Sequence, residues 1–380
     1  MARATGRART LVGFAALGIF WGSWGAELPA VKSHAGASDA ALGIALFCIG
    51  AGALVAMRPA GVLVDRGGRR VLPAITAVFA VCGFLPALAN SSFALAAMVV
   101  LLGATSGSLD VAINAEGVRA EAAGPPVLRL AHGIFSAAAV IASIATGGLR
   151  AAGASPAAVF GVMSTAVLGA ALLALALDPA PPRRETTPRL RELLRAPRAL
   201  VVLGGLCALA FFVEGAWQSW GAVQLQNTLG ASAALSAAAP ALFAAAMATG
   251  RIGGQDLRWP EWWLLALAAS VAAAGTLVGA TASTAALALV GIVVAGLGIS
   301  ICAPTLIAMA GRRTIPERRG SAVSVVTTVA YLGFLLGPAA VGVAANATSL
   351  RAALGGVAAA ALLLAGLAAR GARAGAGAAG

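Results

Sequence analysis

Residues 21–26 read WGSWGA, and residues 217–222 read WQSWGA. The two copies differ at one position, stand about half a chain length apart, and contain four of the seven tryptophans. A second correspondence follows each copy, because Gly-Ala-Ser occurs at 36–38 and again at 230–232. The pattern indicates two related halves that arose by duplication.

The composition predicts a membrane protein with many spans. Of the 380 residues, 60% are hydrophobic and 10% are charged, whereas a soluble domain has about 25% charged residues. The 48 glycines suit close helix packing in lipid. The net charge of +13 does not indicate a nucleic-acid partner, because the basic residues fall in short loops between apolar runs. The four cysteines lie inside apolar runs without a CxxC pair, which favours plain helix residues over a disulfide or a metal site.

The apolar runs predict twelve transmembrane helices, since each is close to the about 20 residues that a helix needs to cross a bilayer. The first run follows three arginines as in a signal peptide, but it continues without a cleavage site and is predicted to be a span. The predicted spans are 11–30, 40–58, 71–89, 93–117, 127–149, 156–177, 199–225, 235–253, 262–280, 284–310, 321–344 and 349–369.

The basic residues orient these spans. With the N-terminus in the cytoplasm, 23 of the 26 basic residues fall on the cytoplasmic side, and Lys32, Arg150 and Arg351 fall outside. Positive residues concentrate on the cytoplasmic side of membrane proteins. We therefore predict a multi-pass membrane protein with both termini in the cytoplasm.

The spans divide into two sets of six. Residues 178–198 begin with DPAPP, then become basic, and form the one sizeable linker. The predicted architecture is all-α: a six-helix bundle over 1–177, a cytoplasmic linker over 178–198, and a second bundle over 199–380. Parallel six-span repeats are a known transporter plan, in which the solute site lies between the halves.

The loop between spans two and three carries a specific motif. Residues 61–70 read GVLVDRGGRR, which resembles the G-x-x-x-D-R-x-G-R-R signature of the major facilitator superfamily. The resemblance implies a twelve-span transporter in which this loop gates the cytoplasmic side. Its glycine, Gly61, is expected to allow close helix contact. The residues assigned to the gating loop are Gly61, Asp65, Arg66, Arg69 and Arg70.

A finer resemblance lies in spans four and five. Residues 109–114 read LDVAIN and residues 128–136 read LRLAHGIFS, which is similar to the fucose–proton symporter branch and its uncharacterised bacterial relatives. The resemblance implies that Asp110 takes part in proton coupling. The second key acid of that symporter lies in span one, where the nearest acid of this chain is Glu27.

Ionisable residues inside a membrane span are functional candidates because burying them is costly. Asp110 and His132 lie at similar depths in spans four and five. Asn114 follows Asp110 by one helical turn, so we expect it to orient the carboxylate or to contact solute. We expect Asp110 to bind and release the coupling proton, and His132 to tune it or to contact solute. The alternative is that Asp110 pairs structurally with Arg129 or with the neighbouring loop.

Span seven supplies the second candidate site. Glu214, Trp217 and Gln224 share one helical face, and Gln218 lies beside it. Glu214 is also a candidate proton-coupling acid. In span one, Trp24 and Glu27 likewise share a face. A flat ring beside a carboxylate suits a sugar, whose C–H face stacks while its hydroxyls form hydrogen bonds. The alternative is that the tryptophans pack between helices.

These features predict a secondary transporter that works by alternating access and imports a small polar solute, such as a sugar, with protons. A proton-driven exporter is the alternative, although the antiporter glycine–proline motif is missing from span five. An enzyme is disfavoured because no metal cluster or nucleophile–base pair is evident. No Walker A pattern occurs, so ATP does not drive the cycle and no cofactor is expected. The expected partners are the solute, the proton and the bilayer, and the resemblance implies a monomer in the bacterial cytoplasmic membrane.

Overall fold

The structure is a computed structural model, and it describes residues 2–66, 68–179, 197–254, 259–315 and 319–377. These residues form long α-helices joined by short turns. Most of the predicted linker lies outside the described residues. The helices are α1 Ala2–His34, α2 Asp39–Arg66, α3 Val71–Phe84, α4 Ser92–Ala123, α5 Leu128–Ala151, α6 Pro156–Ala176, α7 Arg198–Val223, α8 Ala233–Gly253, α9 Glu261–Thr281, α10 Ala285–Ile299, α11 Cys302–Arg312, α12 Arg319–Ala347 and α13 Leu350–Gly377.

The twelve predicted spans are confirmed. Within the described ranges, twelve helical segments are long and apolar enough to cross a membrane, and each overlaps its predicted counterpart. The tenth span differs in detail, because the sequence predicts one helix over 284–310, whereas the helix is broken at Ser300 and Ile301. Pro304 explains the break: it has no N–H for the Ser300 carbonyl, and its ring clashes with that oxygen in a continuous helix. The placement of both termini in the cytoplasm stays a prediction.

The duplicated Gly-Ala-Ser is a pair of matching turns. Gly36 and Gly230 follow the first and seventh spans with φ of +57° and +66°, which glycine adopts without steric cost. Two residues later, Ser38 and Ser232 accept hydrogen bonds from the backbone N–H groups three residues along. Each copy therefore ends one span and caps the next, which explains why both halves retain it.

Small residues bring the helices of each half together. A Cβ atom on Gly103 of α4 would overlap the backbone carbonyl of Ile49 in α2. The same is true of Gly22 in α1 against Ala139 in α5. At Gly61 a Cβ atom would meet only Val111, at an ordinary 4.0 Å. The close helix contact predicted at Gly61 therefore lies further along α2 and α4, at Gly103.

The chain divides into two compact units. Among the described residues, the first unit holds the first six spans together with residues Ala231–Ala241 at the start of α8. The second unit holds α7, the remainder of α8 and the helices that follow. The predicted division at the 178–198 linker stays a prediction.

Candidate functional site

Buried glutamates paired with arginines mark the interior of both units. In the described spans, Glu27, Glu116 and Glu214 are buried, and each lies within ion-pair distance of an arginine. A charge buried in lipid is tolerated when an opposite charge compensates it. The sequence marked Glu27 and Glu214 but not Glu116, and it assigned Arg9, Arg150 and Arg251 to loops or to the N-terminal tail.

Glu27 is paired with Arg150, which the loop charges place outside the membrane. The Nε atom of Arg150 lies 3.5 Å from Oε2 of Glu27, and both side chains are almost completely buried. Arg150 also donates hydrogen bonds to the Ala26 carbonyl at 2.7 Å and to the Ser236 hydroxyl at 3.4 Å. Glu27 therefore holds the ends of α1 and α5 together, and in this structure it has no exposed surface for a solute.

Glu214 is the centre of a polar group in the second unit. Gln218 donates a hydrogen bond to Oε1 of Glu214 at 2.9 Å, and Nη2 of Arg251 lies 3.4 Å from the same oxygen. The side chain of Arg251 is 40% exposed, and Gln218 is exposed. Two of the predicted solute-binding residues, Glu214 and Gln218, are thus brought together, and Arg251 is a member of the group that the sequence did not reveal.

Asp110 differs from the buried glutamates because its partner is neutral. Asn114 donates one hydrogen bond to Oδ1 of Asp110 at 3.1 Å and another to its backbone carbonyl at 2.9 Å. Of the described side chains, no cation lies within ion-pair distance of Asp110, so the alternative pairing with Arg129 does not occur in this structure. Asn114 is therefore placed to orient the Asp110 carboxylate, and its contact with solute stays a prediction.

His132 lies beside α1. Its ring meets the edge of the Phe14 ring, with the centroids 4.8 Å apart and the planes at 70°. His132 is exposed. The expected tuning of Asp110 by His132 stays a prediction.

The duplicated tryptophans pack inside their own units. Trp24 stacks on Phe20 with centroids 6.1 Å apart and contacts Phe160. Trp217 is fully buried and donates its indole N–H to the Thr276 hydroxyl at 3.0 Å. These positions favour the packing alternative over solute contact for both tryptophans.

Gln224 also points into the second unit. It lies in a short π-helical turn, Gln224–Thr228, that ends the seventh span. Its side chain is fully buried, and its amide N–H donates to the Ala280 carbonyl at 3.5 Å. The predicted face of Glu214, Trp217 and Gln224 is therefore divided, since Glu214 alone approaches the exposed side of α7.

The loop motif is anchored to α6. Asp65, Arg66 and Arg70 are exposed. Nη1 of Arg69 lies 3.4 Å from Oδ1 of Asp178, and Nη2 donates to the Leu175 carbonyl at 3.1 Å. The loop thus lies against the end of α6 within the first unit. Its gating role stays a prediction.

Arg9 anchors the same region from inside. It is almost completely buried, donates to the carbonyls of Arg69 and Leu177, and lies 3.9 Å from Glu116. Glu116 also pairs with Arg119 at 3.0 Å. Arg9 therefore joins α1 to α4, to the turn before α3 and to the end of α6.

Aromatic residues of α7 and α12 form a surface that the sequence did not reveal. Phe211 lies 4.3 Å from Phe334 and 6.2 Å from Tyr331, measured between ring centroids. All three rings are half-buried. The signal was present in the sequence, because Phe211 precedes Gln218 by two helical turns and so shares its face.

Metal chemistry has no candidate site in the described ranges, where no three His, Cys, Asp or Glu side chains lie close enough to bind an ion. Cys48, Cys82, Cys207 and Cys302 are free thiols. The polar groups described above are therefore organised by ion pairs and hydrogen bonds.

The chain belongs to the Major Facilitator Superfamily, whose sequence model matches residues 10–338. It is 32% identical to an uncharacterised MFS-type transporter of Yersinia pestis over 355 residues, covering 92% of this chain and 91% of that one. It is 31% identical to the uncharacterised transporter y4wD of Sinorhizobium fredii over 349 residues, with coverage of 89% and 91%. The protein is therefore a multi-pass transporter of the bacterial cytoplasmic membrane.

Solved structures show the same fold. A bacterial homologue of the human lysosomal transporter Spinster, inward-facing and occupied, gives a TM-score of 0.79 at 17% identity, with 97% of each chain covered. The nucleoside transporter NupG gives a TM-score of 0.78 at 14% identity, covering 97% of this chain and 98% of that one. The finer resemblance to the fucose–proton symporter branch stays a prediction.

Proposed function

We propose that this transporter moves a small polar solute, such as a sugar, together with protons by alternating access, and that it does so as a monomer. The observation that carries the proton coupling is the environment of Asp110. It lies in the interior of the α4 span, and its hydrogen-bond partner is an uncharged amide.

Proton coupling needs an acid that can change its charge without leaving a buried cation uncompensated. Protonation of Glu27 would leave the buried Arg150 without its counter-ion, and an unpaired charge in a low-dielectric interior is costly. Among the described side chains no cation is paired with Asp110, and Asn114 can form a hydrogen bond with it in either protonation state. On this contrast we assign the coupled proton to Asp110, and we assign Glu214, which lies beside the exposed Gln218 and the partly exposed Arg251, to solute binding.

The solute contacts are proposed from the exposed polar atoms. Gln218 and Arg251 present spare donors beside the Glu214 carboxylate. A few polar groups placed beside an apolar surface are typical of small-molecule sites. A nucleoside transporter has the same fold, which is compatible with a polar solute.

The test uses purified protein in proteoliposomes that contain a trapped pH-sensitive dye. Sugars, polyols, nucleosides and amino acids are added outside one at a time. We expect at least one of them to acidify the interior in proteoliposomes and not in protein-free vesicles. A labelled solute that crosses at the same rate with and without a pH gradient, and moves no protons, would overturn proton coupling. Reversing the pH gradient and measuring the direction of solute movement distinguishes import from export.

A further inference from the structure

We propose that Phe211, Tyr331 and Phe334 form the stacking surface of the solute site, and that the solute is a neutral ring compound bearing hydroxyl or amide groups. This inference rests on the proposed function, whose solute it defines more narrowly. Trp24 and Trp217, for which the sequence predicted stacking on the solute, pack inside their units. The three rings proposed instead form an aromatic surface that is partly exposed.

The arrangement of α7 places this surface beside the polar group. Phe211 and Gln218 lie two turns apart on one face, and Glu214 and Gly215 lie between them on opposite sides. Glu214 faces Arg251 of α8. A Cβ atom on Gly215 would lie 3.1 Å from the Phe334 ring of α12. The open face of α7 is therefore bordered by an ion pair on one side and by aromatic rings on the other.

This face does not fit a lipid contact. Glutamate, glutamine and arginine inside a span face the protein interior or a water-filled space, because lipid cannot solvate them. Glu214 is near the middle of the 31-residue span Arg198–Thr228, roughly 20 Å from either end at 1.5 Å per residue. Transporter solutes bind near this depth.

The chemistry of the two sides defines the solute. Half-buried rings attract the flat, weakly polar face of another ring. Glu214 and Arg251 balance each other, so a neutral solute leaves no uncompensated charge, whereas an anion or a cation would bring one into a poorly hydrated site. The exposed amide of Gln218 offers both a donor and an acceptor to hydroxyl or amide groups.

The experiment is a thermal-shift screen of the purified full-length protein with matched sets of probes. The sets are hexopyranoses and ribonucleosides, which are neutral rings; hexitols, which carry hydroxyls without a ring; and hexuronates, which keep the ring and add a carboxylate. A bound ligand raises the melting temperature. We expect shifts with neutral rings and none with hexitols or hexuronates.

The stacking surface is tested with Phe211→Leu and Phe334→Leu, which keep apolar volume but remove the flat ring. For the best neutral ring probe, each variant is expected to raise Kd about tenfold. Phe93→Leu is the matched control, because Phe93 is a highly exposed phenylalanine of α4, and it is expected to leave Kd unchanged. The melting temperature without probe shows whether each variant folds, and Tyr331→Leu replaces any variant that does not.

Three results would overturn the inference: stabilisation by hexitols or hexuronates rather than by neutral rings, no shift with any neutral ring probe, or unchanged binding in the leucine variants. The dye assay separates these results from failure of the proposed function. Proton-coupled movement of an acyclic or charged solute would remove the ring proposal alone. A neutral ring that binds and crosses without protons would remove proton coupling alone.

Discussion

Arg150 of α5 lies 3.5 Å from the Glu27 carboxylate of α1, and both side chains are buried. Arg150→Met removes the cation and leaves Glu27 buried without compensation. The expected loss of stability is about 3 kcal/mol or more, measured by thermal or denaturant unfolding in detergent. Arg351→Met is the control, because Arg351 is exposed, and it is expected to be neutral.

The double variant Glu27→Met with Arg150→Met tests whether the two side chains stabilise the protein as a pair. Replacing both charges with apolar groups of similar size is often neutral or stabilising. We therefore expect the double variant to recover most of the stability that Arg150→Met loses. A double variant as unstable as the single one would show that the two side chains are not coupled.

Glu214→Gln, unlike Arg150→Met, is expected to weaken solute binding with little change in stability. Arg251 is 40% exposed, so its side chain can reach water when its partner loses charge, and the melting temperature should change little. Solute binding should weaken by about tenfold or more, since a hydrogen bond to a charged group contributes about 1.5–3 kcal/mol. Titration of the best ligand by thermal shift measures both quantities. Wild-type affinity in this variant would remove Glu214 from the site.

The span bounds were predictable because lipid imposes one requirement on every span. Backbone groups in the hydrocarbon core cannot form hydrogen bonds with water and must form them within the protein. An apolar run of sufficient length therefore becomes a helix. The duplicated turns at Gly36 and Gly230 were visible for a similar reason, because the left-handed conformation that each adopts favours glycine. The break in the tenth span was also predictable, because Pro304 disrupts a helix. The continuous apolar run nevertheless led to the prediction of one unbroken helix.

The partners of the buried acids could not be read from the spacing. Arg9, Arg150 and Arg251 occur near the ends of spans, where a long side chain can turn either towards water or into the helix bundle. That choice depends on which helices pack together, and this is a long-range property. Trp217 raises the same difficulty, because its position on α7 does not reveal that it meets Thr276 on α9.

The hydrogen bond from Trp217 to Thr276 offers a test of the packing role. Trp217→Phe and Thr276→Val each remove one end of the bond and should each destabilise the protein. The double variant should lose less than the two single losses combined, with a coupling of about 1 kcal/mol. Ligand affinity should be unchanged throughout. A large fall in affinity without loss of stability would instead favour the solute-contact interpretation of Trp217.

Gly103→Ala tests the close approach of α4 to α2. The added methyl group would overlap the Ile49 carbonyl, and overpacking of this kind costs about 1–3 kcal/mol. Gly169→Ala in α6 is the matched control, because its Cβ atom would meet open space. We expect a lower melting temperature for the first variant and no loss for the second. Equal stability of the two variants would contradict the described packing.

The central claim is that Asp110 carries the coupled proton. The most direct measurement compares wild type with Asp110→Asn in proteoliposomes under an imposed gradient of about one pH unit, which can support about tenfold accumulation for one proton per solute. We predict that the variant loses accumulation but still exchanges labelled for unlabelled solute. The control is Asp39→Asn, because Asp39 lies at the start of α2 and pairs with Lys32, and it is expected to behave as wild type. Accumulation at the wild-type level in Asp110→Asn would contradict the claim.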